Sequence, residues 1–317
     1  MARTSRYETC LKHMYSLQRF GIKLGLSTIR NILKGLGNPQ NNFSSIHIAG
    51  TNGKGSIASG IASILKASGY RVGLYTSPHL VKFNERIQIN GKEISDSRVV
   101  KAYDAVKCVH HGSREPTFFE FATAMALHEF SEQHVDWGVI ETGMGGRLDA
   151  TNIIKPSVCV ISNISLEHKF YLGNTIAEIS GEKGGIIKRN VPVVTGIHQP
   201  QALAAIEIIA LSRHAPVFCF GKDFRVRRNL HGGFNYYGLK NNWKNLKTSL
   251  IGRHQVDNAA LTLAACELLS QKGVSITEQS SRQGISHIHW PGRLEVVSDT
   301  PMIILDGAHN LVCLLYT

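Results

Sequence analysis

The chain has 317 residues, 43% of them hydrophobic, and a formal charge of +12; that is enough for a sizeable core and roughly two domains, and it excludes a disordered or fibrous protein. The positive charge suits either nucleic acid or a polyanionic small molecule, and with no RNA-binding signature or concentrated arginine tract the small molecule is preferred and nucleic acid is not expected. Six dispersed cysteines without a CxxC pair point to reduced thiols, and the lack of a signal peptide or an apolar run of roughly 20 residues predicts a soluble, cytoplasmic protein without membrane contact.

In chain order, the first informative pattern is an apolar run at 46–49, the turn GTNGKGS at 50–56, and a helix-patterned stretch at 56–68 with Ile57, Ile61, Ile64 and Leu65 on one face. Strand, glycine-rich turn and helix together make a phosphate cradle. In Gly50, Thr51, Asn52, Gly53, Lys54, Gly55 and Ser56, small residues let backbone N–H groups converge on phosphate oxygens. The helix N-terminus adds positive potential, Lys54 neutralises charge, and the Ser56 hydroxyl can ligate Mg²⁺. The usual P-loop has Ser or Thr directly after Lys, whereas Gly55 intervenes here, so this is a variant.

A strand at 71–75, a helix at 119–133 and short apolar runs at 137–140, 158–161 and 191–195 continue an alternating pattern. Strands separated by helices predict an α/β fold with a parallel sheet covered on both faces, and ligands at the carboxyl ends of the strands. From 218 to 250 the composition reads as appended antiparallel hairpins. A helix is expected at 258–271, an exposed polar connection at 275–286, and a domain boundary near Trp290 and Pro291. That gives an ATP-binding unit at 1–290, followed at 291–317 by a strand at 302–305.

Nine motifs follow in order: GTNGKGS is joined by TSPHL (76–80) with FNERIQING (83–91), FFEFAT (118–123), ETGMGGRLDATN (141–152), SLEHKFYLGNT (165–175), EKGGIIK (182–188), GRHQVDNAAL (252–261), WPGRLE (290–295) and LDGAHN (305–310). Together they closely resemble the folylpolyglutamate synthase/dihydrofolate synthase family, ATP-dependent amide ligases related to the Mur ligases. The resemblance implies a Mur-ligase-like P-loop domain followed by a Rossmann-like α/β domain. Residues 291–317 are expected to be only the start of that second domain, because the family continues well beyond DGAHN and carries proline where Leu311 stands. An impaired enzyme is therefore expected of this chain.

Glu141 closes a predicted strand before a glycine-rich loop, where its carboxylate suits Mg²⁺, and the resemblance gives it that role. It also implies metal contacts from Ser77 and His168, and a carbamylated Lys183 helping to hold the second of a pair of Mg²⁺ ions. Asn258, Arg293, Asp306 and His309 match nucleotide contacts. Ser77, Pro78, His79, Phe119, Glu120 and Thr123 match the pterin- and pteroate-binding loops, and Arg147 and Asp149 can close that site. The implied substrates are ATP, L-glutamate and dihydropteroate or a reduced folate, used by a monomer. Which of the two pteridine substrates is native stays open, as do a Mur-type ligase, a P-loop GTPase or regulatory ATPase, and a nucleotide-binding remnant without catalysis.

Overall fold

A computed structural model describes residues 5–308 apart from 22, 24, 113, 230 and 231. Eight strands build one sheet: β1 (Ser44–Ala49), β2 (Val72–Tyr75), β3 (Ile87–Ile89), β4 (Lys92–Glu93), β5 (Trp137–Glu141), β6 (Val158–Ile161), β7 (Val193–Thr195) and β8 (Val217–Cys219). Their order is β4-β3-β2-β5-β1-β6-β7-β8. Strands β2, β5, β1, β6, β7 and β8 run parallel, and β3 and β4 add an antiparallel edge.

The period-2 alternation of each strand feeds two faces. On β1, Ile46 and Ile48 join a core cluster with Ile57, Ile61 and Ile64 of helix Lys54–Ala67 and with Leu261 and Leu268 of helix Arg253–Gln271. Ala49 belongs instead to the opposite cluster, with Ile179 and Ile206 of helices Ile176–Gly184 and Pro200–Ser212. A third cluster places Tyr75 and Ile140 against helix Phe118–Glu132. The parallel sheet is thus covered on both faces, which brings the carboxyl ends of β2, β5, β1 and β6 together at one edge.

Three regions depart from the expectations. Residues 217–219 extend the parallel sheet rather than opening a hairpin, because Val217 and Phe218 pack into cores on opposite sides. The appended antiparallel sheet is confined to β9 (Arg225–Arg228), β10 (Phe234–Tyr237) and β11 (Asn242–Leu246). The expected connection at 275–286 contains helix Glu278–Ser286, capped by Thr277, whose Gly284 lies against the backbone of Ile64. Finally, β12 (Glu295–Asp299) and β13 (Met302–Leu305) pair as an antiparallel hairpin with Val297, Met302, Ile304 and Leu305 facing solvent. The 302–305 strand therefore has a neighbour in β12.

Candidate active site

The turn at 50–56 leaves β1 and runs into helix Lys54–Ala67, which begins two residues before the expected start. Backbone contacts to the loop after β6 fix its shape: Thr51 N–H donates to the Asn163 carbonyl at 2.9 Å, Asn52 N–H to Asn163 Oδ1 at 2.9 Å, and Ser162 Oγ to the Asn52 carbonyl at 2.6 Å. Lys54 Nζ donates to the carbonyls of Gly50 and Thr51 at 3.1 and 3.0 Å, holding the ammonium over its own loop. The intervening glycine has a steric cause. A methyl group on Gly55 would clash with Cζ2 of Trp290, which comes from the WPGR segment and lies against this helix N-terminus.

A cavity of about 400 Å³ opens over this turn, lined by residues 51–56, Glu141, Asn163, Glu167, His254, Gln255, Asn258, Arg293 and Asp306. Glu141, at the carboxyl end of β5, is buried and accepts from the Ser77 N–H at 3.1 Å. Burial pushes its carboxyl above the usual range, against the pull of Lys54, the Ser77 N–H, Arg293 and Arg86. A carboxylate so placed calls for a cation, and the hydroxyls of Ser56 and Ser77 line the same space. The carboxylate and hydroxyl oxygens are donors of the kind a hard ion takes; among the described residues no group of three or more His, Cys, Asp or Glu side chains could hold a metal.

Lys183 is buried, its Nζ donating to the Gly50 carbonyl at 2.8 Å and to Glu167 Oε1 at 2.6 Å. Burial, then the Lys54 charge, pushes its pKa down to about 8 against the pull of Glu167. For Glu167 burial pushes upward, but the charge and hydrogen bond of Lys183, the Lys54 charge and the Thr51 hydroxyl together hold the carboxyl below the usual range.

A second cavity, of about 480 Å³, adjoins the first and is lined by Phe118, Phe119, Glu120, Arg86, Met144, Asp149 and Lys23 among others. The two share Ser77, Pro78, Gly143 and His168. Tyr15 stacks on Phe118 at 5.6 Å between ring centroids, giving an aromatic wall, while Asp149 is held by N–H groups of Thr151 and Met144 at 3.0 and 2.9 Å.

Residues 48–266 match the Mur ligase middle domain. The chain is 41% identical over 318 residues to a dihydrofolate synthase/folylpolyglutamate synthase of Bacillus subtilis, an alignment covering 96% of this chain and 73% of that protein. It is 39% identical to the folylpolyglutamate synthase of Lacticaseibacillus casei, over 96% and 74% of the two chains. The chain belongs to the folylpolyglutamate synthase/dihydrofolate synthase family. It also superposes on an FPGS–AMPPCP–folate complex with a TM-score of 0.91 at 38% identity, covering 98% of this chain and 78% of that one. It is thus an ATP-dependent ligase by family, with the α/β Mur ligase fold, and the GTPase and Mur-substrate alternatives fall away.

In this family member the expected nucleotide residues Asn258, Arg293 and Asp306 do meet at the cavity over the turn, whereas His309 lies outside the described residues. Of the expected pteridine residues, Ser77, Pro78, Phe119, Glu120 and Asp149 line the second cavity. Three do not line it. His79 accepts from Arg86 Nε at 2.7 Å, Thr123 is fully buried beside the Tyr75 hydroxyl, and Arg147 turns outward to pair with Glu182 at 2.7 Å. Glu120 also caps its own helix through the Thr117 N–H. Sequence reading missed Asn163, Glu167 and Arg86. The last two stand inside the quoted motifs SLEHKF and FNERI, but only the fold shows that one pairs with Lys183 and the other is buried.

Proposed function

We propose that this ligase phosphorylates the carboxylate of dihydropteroate or a reduced folate with ATP and joins the activated carbonyl to the amine of L-glutamate. The observation that carries this is the seam of Ser77, Pro78, Gly143 and His168 common to the two cavities, since a nucleotide on the turn and a pteridine acid against the aromatic wall would meet there. ATP would lie with its phosphates on residues 50–56 and Lys54, its adenine toward Asn258, its ribose toward Asp306, and Arg293 reaching a phosphate. The pteridine would stack on Phe119.

A carboxylate is a poor electrophile because its leaving group would be oxide. A carboxylate oxygen attacks the γ-phosphorus, ADP leaves, and the acyl phosphate then accepts the glutamate amine, which loses a proton as phosphate departs. Lys54 and the helix N-terminus neutralise charge that builds on the transferring group. Glu141, Ser56 and Ser77 would hold Mg²⁺, with His168 and Lys183 at a second ion, and the metal would supply further charge neutralisation. A carbamate on Lys183 fits this reading: with a pKa near 8, the amine has a neutral fraction able to attack carbon dioxide. The product anion beside Glu167 would then require a cation between them. Thiols at all five described cysteines are in keeping with the cytoplasm. Among the described residues no helix is long and apolar enough to cross a membrane. The exposed apolar hairpin, with Arg293 and Asp306 directed back to the cavity, supports a boundary at 290.

The test is an ATP- and glutamate-dependent ligation assay with dihydropteroate and tetrahydrofolate offered side by side. Glutamate addition to one or both is expected, with matching ADP release, and ADP release indifferent to either acid would refute the reading. Isotope-labelled bicarbonate NMR on wild type and Lys183→Ala tests the carbamate, which predicts a signal in wild type alone.

A further inference from the structure

We propose that Arg86 is the receptor for the pteridine substrate's carboxylate, the group to be phosphorylated; this rests on the function proposed above. Arg86 is only 7% exposed, yet its side chain lines the larger cavity. Its Nε donates to His79 Nδ1 at 2.7 Å, and its guanidinium carbon stands 5.1 Å from the Phe118 ring centroid. Both contacts orient the group without neutralising it. Among the described residues no carboxylate forms an ion pair with Arg86, and its two terminal nitrogens have no protein acceptor.

A charge withdrawn from water without a counter-charge is strongly unfavourable, and burial accordingly pushes Arg86 below its ordinary pKa. The acidic groups that pull on it are engaged elsewhere: Glu85 accepts from the N–H groups of Leu80, Val81 and Lys82, and Glu141 from that of Ser77. What remains is a planar, pre-oriented fork facing a cavity, the geometry that takes a carboxylate by two parallel hydrogen bonds. Arg86 lines this cavity together with Ser77, Pro78, Gly143 and His168, the residues of the seam. Lys23 lines the same cavity but is exposed, so its charge is not withdrawn from water as that of Arg86 is.

Equilibrium titration of wild type, Arg86→Met and Arg86→Lys with pteroate, with its methyl ester and with AMPPCP tests this. Wild type should prefer the acid over the ester by about ten- to a hundredfold. Arg86→Met should lose that preference by weakening the acid alone, with ester and AMPPCP affinities unchanged, and Arg86→Lys should keep part of it. If Arg86→Met is poorly folded by circular dichroism, the Arg86→Lys ratio decides, and a wild-type ratio there overturns the proposal. An unchanged acid-to-ester ratio in Arg86→Met, or a loss confined to AMPPCP, also overturns it. A wild type that binds acid and ester equally overturns the receptor role while leaving the function standing. One that binds neither overturns both.

Discussion

Lys54 bridges two carbonyls of its own loop and makes no core contact. Lys54→Ala should therefore lower ATP turnover by about a hundredfold or more with the unfolding curve unmoved, and unchanged turnover would remove the phosphate role from this turn. At Gly55 the limit is space. Gly55→Ala pushes against Trp290 at a cost on the order of 1–3 kcal/mol, so AMPPCP affinity should drop and partly recover in Gly55→Ala/Trp290→Leu; a single variant with wild-type affinity would contradict the contact. His47, fully buried on β1, meets the Thr151 hydroxyl at 2.8 Å, and burial followed by the Lys188 charge holds its pKa at about 3. The unfolded imidazole titrates near 6.5, so between these values the unfolded chain takes up the proton and the folded one does not. Stability is then full above 6.5 and falls on acidification through this window, by up to about 1.4 kcal/mol per pH unit from this group. Urea unfolding of His47→Gln should show a flatter acid limb than wild type, and parallel limbs would exclude His47 as a source of acid sensitivity.

Strand, turn and helix around residues 46–68 were legible because the hydrophobic period changes across a glycine-rich turn, and the 137–141 and 158–161 strands because they are short apolar runs. Helix Glu278–Ser286 was not. Its buried positions are Ser280, Ser281, Gly284 and Ile285; the first three are small, which permits close approach to helix Lys54–Ala67, and a single apolar residue among them makes no stripe to read. Gly284→Val should separate the two helices and cost about 1–3 kcal/mol in urea unfolding; no loss would show that the contact does not constrain them. The same limit hid Asn163, whose part depends on β6 lying next to β1, a neighbourhood that only the sheet order reveals. The loop after β6 thus acts as a brace for the phosphate turn. Likewise the outward turn of Arg147 follows from its ion pair with Glu182, one helix away in the fold and invisible in GGRLDATN.

Across the whole molecule, the carboxyl ends of adjacent strands lead to the residues proposed for the chemistry: β1 leads to the phosphate turn, β5 ends in Glu141, β2 leads to Ser77 and Pro78, and β6 leads to Asn163. This arrangement places two cavities side by side with one seam, and the direct consequence is oxygen transfer. If the pteridine carboxylate attacks ATP, one of its oxygens must leave with the phosphate when glutamate's amine displaces it. Dihydropteroate labelled with heavy oxygen in the carboxylate, turned over with ATP and glutamate, should deliver one labelled oxygen to inorganic phosphate for each amide formed. Amide product accompanied by unlabelled phosphate would contradict an acyl phosphate at the seam.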